Sequence, residues 1–126
     1  MTLRLREEYS TYNDKILDIK QANHSKVLVC TNSNILRVYD FEIGQVSLVP
    51  GHKDLAMCCD VSGGKALTGS KDGKVYLWSI DDHGKFTLIK KYKGHSEPLV
   101  GVCLGQKTQN MFVSGDLEGN IKIWKL

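Results

Sequence analysis

A chain of 126 residues, 41% hydrophobic and 25% charged, has the length of one domain and the balance of a globular protein rather than a disordered or collagen-like one. Its formal net charge of +3 is too small to argue by itself for a polyanion partner, and no run approaches the roughly 18 apolar residues of a membrane-spanning helix. The opening stretch MTLRLREEYS sets charges where a secretion leader needs an apolar core, so cytosol or nucleus is the expected compartment.

In chain order, short apolar alternating runs predict eleven strands in three units. The first unit holds 15–19, 26–30, 35–40 and 45–49. The second holds 55–61, 65–68, 74–79 and 85–92, and the third 98–104, 111–114 and 121–125. Ser62-Gly63-Gly64, Lys71-Asp72-Gly73, Asp82-His83-Gly84 and Glu118-Gly119-Asn120 supply turns, because Gly and Asn reach positive φ cheaply. No window carries a sustained helical period, so the expected class is all-β.

The units repeat one another. GSKDGKVYLWS (69–79) and SGDLEGNIKIWK (114–125) share a small polar run, an acid before Gly, an alternating strand and a Trp. Gly51-His52 and Gly94-His95 recur at a similar distance, and CTNSNILRVYD (30–40) is a weaker copy with Tyr39 in the Trp position. A period of about 40–45 residues of this kind signals a propeller array. The cysteines, Cys30, Cys58, Cys59 and Cys103, form no Cys-x-x-Cys pair and do not cluster with histidine at zinc spacing. They read as small buried hydrophobes, with no metal or cofactor implied, and Cys58 and Cys59 should point to opposite faces of one strand.

From about Asn13 to Leu126 the chain resembles the WD40 family, in which four antiparallel strands make a blade, the third strand carries Trp, and Gly-His precedes the first. The resemblance implies an incomplete propeller of about three blades: a degenerate one over 13–50, one over 51–93, and one over 94–126 that lacks its outer strand. It also implies a hydrogen-bonded set of His, Ser or Thr, Asp and Trp within a blade. The matching residues are His52, Thr68, Asp72 and Trp78, then His95, Ser114 and Trp124, with Glu118 where Asp is usual. Such a set serves structure, since buried polar groups must find partners and an orphaned one costs ~1–3 kcal/mol. Asp72→Ala is therefore expected to destabilise the second blade by that amount. A Ser/Thr–His–Asp group also suggests nucleophilic catalysis, but this one recurs once per unit, as a scaffold element does. With no Gly-x-Ser-x-Gly, phosphate loop or His-Glu-x-x-His, the reading is a binding module and not an enzyme.

Lys85, Lys90, Lys91 and Lys93 surround Tyr92 on the expected outermost strand of the second blade. They read either as lysines protecting a sheet edge or as a phosphate-contacting strip, giving a weak RNA contact with Tyr92 free to stack. Three blades leave two apolar faces open. Either further blades of a longer chain cover them, or copies self-assemble, with 2–7 (TLRLRE) completing the third blade. Polar loops at Lys53-Asp54, Ser96-Glu97-Pro98 and 105–110 are candidate contact points. Tyr76 and Lys122, at one mid-strand position in two blades, are candidates for a shared surface.

A closer resemblance lies in 12–20, 28–61 and 90–104, above all the link from NSNILRVYD to PGHKD. These segments resemble the transducin beta-like WD-repeat subunits of the small-subunit processome, the particle that carries the U3 small nucleolar RNA. That implies a nucleolar scaffold in precursor-rRNA processing whose partners are other protein subunits. The alternatives are a self-assembling propeller and, in another class, a ubiquitin-ligase substrate receptor. The adaptor-docking pattern of such receptors wants Trp-Asp-x-Arg, where this chain has Trp78-Ser79-Ile80-Asp81 and Trp124-Lys125-Leu126.

Overall fold

A computed structural model describes residues 3–5, 8, 15–105 and 110–126. The expected completing strand over 2–7 and the tip of the 105–110 loop lie largely outside the described residues. Eleven strands follow in order: β1 (Ile16–Gln21), β2 (Lys26–Thr31), β3 (Leu36–Asp40), β4 (Gln45–Val49), β5 (Ala56–Ser62), β6 (Lys65–Ser70), β7 (Lys74–Ile80), β8 (Phe86–Lys93), β9 (Leu99–Leu104), β10 (Met111–Asp116) and β11 (Ile121–Lys125). They form three antiparallel meanders, β1-β2-β3-β4, β5-β6-β7-β8 and β9-β10-β11.

The register repeats from sheet to sheet. Thr68 pairs with Tyr76 and Ala66 with Trp78, as Ser114 pairs with Lys122 and Phe112 with Trp124. Each first strand also carries an irregularity at its entry, opposite the second strand. The first strands gather, β5 lying against both β1 and β9, so the sheets radiate from a common inner edge.

No sheet has a core of its own; the cores lie between sheets. Leu28, Cys30, Leu36 and Val38 of the first sheet meet Ala56, Cys59, Ala66, Tyr76 and Trp78 of the second. On the other face of the second sheet, Cys58, Leu67, Val75 and Leu77 meet Leu99, Leu104 and Phe112 of the third. The adjacent Cys58 and Cys59 thus enter different cores, as strand alternation requires. Cys103 departs from the expectation of burial. It is exposed, because it pairs with Val113 on the face of the third sheet that packs against nothing described.

Two details fix how neighbouring sheets meet. A Cβ on Gly69 would lie 2.8 Å from Leu99 Cβ and 2.6 Å from Cys58 Sγ, so Gly69 is the slot into which the third sheet inserts Leu99. Inner-strand carboxylates bind the next sheet's backbone: Asp18 Oδ2 accepts from Cys59 N–H at 3.0 Å, and Asp60 Oδ2 accepts from Leu104 N–H at 2.7 Å. A charged acceptor on a backbone donor is stronger than a neutral pair, so these two bonds help hold successive sheets in register.

Candidate interaction surface and its polar support

In the third sheet, Ser114 and Asp116 sit two residues apart on β10 and so share a face. His95 enters from the preceding loop, its Nδ1 2.8 Å from Asp116 Oδ2 and its Nε2 2.6 Å from Ser114 Oγ. Trp124 Nε1–H donates to Ser114 Oγ at 2.8 Å. With Asp116 ionised, one arrangement uses every group. Trp124 donates to Ser114, Ser114 donates to His95 Nε2, and His95 Nδ1–H donates to the carboxylate. Asp116 Oδ1 also accepts from the Glu118 and Asn120 backbone N–H groups at 2.9 and 3.0 Å, closing the β10–β11 turn. Chiefly through the His95 hydrogen bond, its carboxyl is held down at a pKa of about 2.

The carboxylate on His95 is Asp116 and not Glu118, the residue that stands where the family pattern has Asp. Glu118 is exposed and leaves the role to Asp116, two residues earlier. Strand parity does not separate the two acids, since both lie an even number of residues past Ser114. The strand end does: β10 runs to Asp116, and Glu118 lies beyond it.

The second sheet inverts the expectation. His52 Nε2 lies 2.5 Å from Thr68 Oγ1, which also accepts from Trp78 Nε1–H at 2.9 Å. Asp72, expected to join them, instead accepts from Lys74 N–H at 3.0 Å within its own turn. Because β6 ends at Ser70, Asp72 lies past the strand and its carboxylate caps the hairpin. The His52 Nδ1 is buried without a hydrogen-bond partner among the described residues, and the ring stacks on Tyr76 with centroids 3.8 Å apart. Burial, only partly offset by the nearby Asp72 charge, pushes the His52 pKa down to about 4.

The Gly-His pairs follow from the tryptophans. A Cβ on Gly51 would lie 2.8 Å from Trp78 Cη2, at a φ of +149° that disfavours any side chain, and one on Gly94 would collide with the Trp124 indole. In the first sheet Tyr39 stands in the Trp position, but Val29 pairs with Arg37 where Thr68 pairs with Tyr76, so no hydroxyl is present to receive a histidine. Tyr76 and Lys122 do not mark a shared surface. Tyr76 is fully buried under His52, while Lys122 is exposed and its ammonium donates to Gly94 O.

Nor do the lysines converge. β8 is the outermost strand of its sheet and carries a bulge, with Leu88 opposite Trp78 and Lys90 opposite Leu77, leaving Ile89 unpaired. The extra residue switches the alternation, so Leu88 faces the first core and Tyr92 the second. Tyr92 packs edge-on against Phe112 at 5.0 Å and lies 5.7 Å from Trp124, so it is not free to stack on a base. Lys90 covers the Tyr92 ring and Lys91 the Tyr76 ring, at 5.0 and 5.3 Å. All four lysines are exposed, but Lys85 precedes the strand, and Lys90 lies on one of its faces with Lys91 and Lys93 on the other. Of the loops, Asp54 is turned onto Leu55 N–H at 2.7 Å, and Pro98 O accepts from Leu117 N–H at 3.1 Å.

The WD domain, G-beta repeat model matches residues 44–79 and 86–125. Transducin beta-like protein 3 from Bos taurus and from Homo sapiens are each 26% identical to this chain over 99% of its length. The chain spans 16% of the length of those curated relatives. The peroxisomal targeting signal 2 receptor of Dictyostelium discoideum is 23% identical over 93% of the chain and 38% of its own length. Among solved structures, that titled "Structure of U3-55K" superposes with a TM-score of 0.79 at 15% identity, over 93% of this chain and 38% of the other. With three radial meanders and two matched repeats, the chain belongs to the WD40 family of G-beta repeats.

Proposed function

We propose that the chain is a non-enzymatic interaction scaffold, part of a WD-repeat propeller with blades over 13–50, 51–93 and 94–126, that serves precursor-rRNA processing for the small ribosomal subunit. The observation that carries this reading is the alignment with transducin beta-like protein 3 across 99% of the chain. The residues that mimic a catalytic triad support it too. Ser114, His95 and Asp116 are buried and already bonded to one another and to Trp124, so no substrate atom reaches the hydroxyl. His52, Thr68 and Trp78 play the same structural part in the second blade, with Asp72 as its turn cap. What remains for function is outer surface, which in this architecture meets other proteins.

The partners proposed are protein subunits of the processome, other WD-repeat chains among them, and the compartment is the nucleolus. Recovery of the tagged protein from cell extract is expected to bring down U3 small nucleolar RNA. Its depletion is expected to leave unprocessed precursor and too few small subunits while large subunits hold steady. A protein found outside the nucleus, with precursor processing unchanged on depletion, would defeat the ribosomal assignment and leave the scaffold reading standing.

A further inference from the structure

A trough of about 650 Å³ runs along the rim where the outer strand of the first sheet, β4, approaches the outer strand of the second, β8. Its floor is apolar, made by Val38, Val49, Phe86 and Leu88 over the edge of Trp78. Its mouth is basic, with Lys26, His83 and Lys85, and no Asp or Glu is among the described residues that line it.

The basic mouth is held in place from both sides. Lys26 reaches across from the first sheet and its Nζ donates to His83 O at 2.8 Å. Gly84, at φ +79°, lets it pass, since any Cβ there would strike the Lys26 side chain. Asp81 Oδ1 accepts from the backbone N–H groups of His83 and Lys85 at 2.9 and 2.8 Å, which sets the hairpin that carries both residues. Lys26 bonds a carbonyl and keeps donors to spare, and Lys85 is exposed.

A second, independent feature lies in the wall. Edge strands in native sheets are blunted by charge, proline or cover. β8 is so protected by Lys90, Lys91 and Lys93, whereas β4 reads Gln-Val-Ser-Leu-Val with no charge in it. Among the described residues no strand pairs with the outer edge of β4, so one row of its backbone donors and acceptors is open beside the trough.

We infer that this trough docks an extended acidic peptide from a partner protein. The segment runs along β4 as an added strand, seats an apolar side chain over Phe86 and Leu88, and sets a carboxylate against Lys26 and Lys85. Backbone pairing supplies affinity, the apolar floor selects the anchor, and the basic mouth selects the charge. The inference does not depend on the ribosomal assignment.

The test is fluorescence anisotropy on the whole chain with a labelled synthetic decapeptide, its central Phe-Thr-Val flanked by Glu and Asp. Controls are a twin with Lys in place of every acid and a labelled ten-nucleotide polyuridine. The acidic peptide is expected to bind and both controls to fail. Lys85→Glu should weaken binding about tenfold. Ser47→Trp, which places an indole in the trough from an exposed position beside Val38, should do the same at unchanged melting temperature. Absence of acidic-peptide binding, equal binding of the two peptides, or indifference to both variants would overturn the inference. So would preferential polyuridine binding, which would make the site one for RNA. A light-scattering mass of a dimer that Ser47→Trp returns to monomer would overturn it as well, by showing a second copy in the trough.

Discussion

Two histidines in equivalent positions are supported differently, and the difference is measurable. His95 has a carboxylate on Nδ1, whereas His52 has none among the described residues and is held instead by Thr68 and the face of Tyr76. Asp116→Ala should therefore lower the melting temperature clearly more than Asp72→Ala. The latter loses one turn hydrogen bond and should cost under about 1 kcal/mol, below the cost expected from sequence alone. Equal losses in a paired melting experiment would put the carboxylates back on the same footing. Thr68→Val keeps shape but strands the Trp78 N–H and His52 Nε2, at about 1–3 kcal/mol for each orphaned group. Acid should act in two windows. His52 has a folded pKa of about 4 against an ordinary 6.5, so it is neutral in the fold and its contribution is complete above pH 6.5. That contribution fades as pH falls toward 4, at a limit of order 3 kcal/mol. Asp116, lowered from 3.8 to about 2, contributes above pH 3.8 and loses its contribution as pH falls through 2. Unfolding free energy measured by urea titration from pH 7 to 4 should decline in the first window in the wild type and stay level there in His52→Gln. A decline of equal size in both would show that His52 is not the group responsible. The composition of these networks was mostly legible, because His, Thr or Ser, and Trp recur at matched positions. Which acid completes them was not, because that depends on where each strand ends.

At the scale of elements, alternation alone located all eleven strands, but it is blind to an added residue. The Ile89 bulge on β8 sets Tyr92 in the second core, whereas strict alternation puts it on the face of Leu88, toward the first. Inter-sheet contacts are equally invisible, since a glycine reads as a turn or a weakness until its neighbour is known. Gly69 is a mid-strand slot for Leu99, so Gly69→Ala is expected to overpack the second interface by about 1–3 kcal/mol. A Cβ on Gly115, at the equivalent place in β10, would meet only Asn120 O, at 4.0 Å, so Gly115→Ala should be close to neutral by comparison. Denaturant midpoints of the two variants decide this, and a tolerated Gly69→Ala would mean that Leu99 is not seated as described.

The whole molecule follows from a sheet's inability to bury both its faces. The second sheet is covered on both sides, and its two neighbours each keep one apolar face open, with Ile121 and Ile123 of the third sheet 74% and 68% exposed. Such faces associate, so the chain by itself should sediment above monomer mass, and Ile123→Lys should reduce that mass. A monomer in both cases would mean that these faces are tolerated in water. From sequence alone came the all-β class, the three-unit repeat, the polar positions and the family resemblance, because strand alternation, turn glycines and the Gly-His to Trp spacing are local and periodic. Only the tertiary structure decided that Asp116 and not Glu118 serves His95, that Tyr76 and Tyr92 are packing residues, and that Asp18 and Asp60 join successive sheets. It also decided that Lys26, His83 and Lys85 meet over one trough. Those outcomes depend on strand ends, a single bulge and the approach of residues far apart in the chain, and through-space proximity leaves no periodic mark in a sequence.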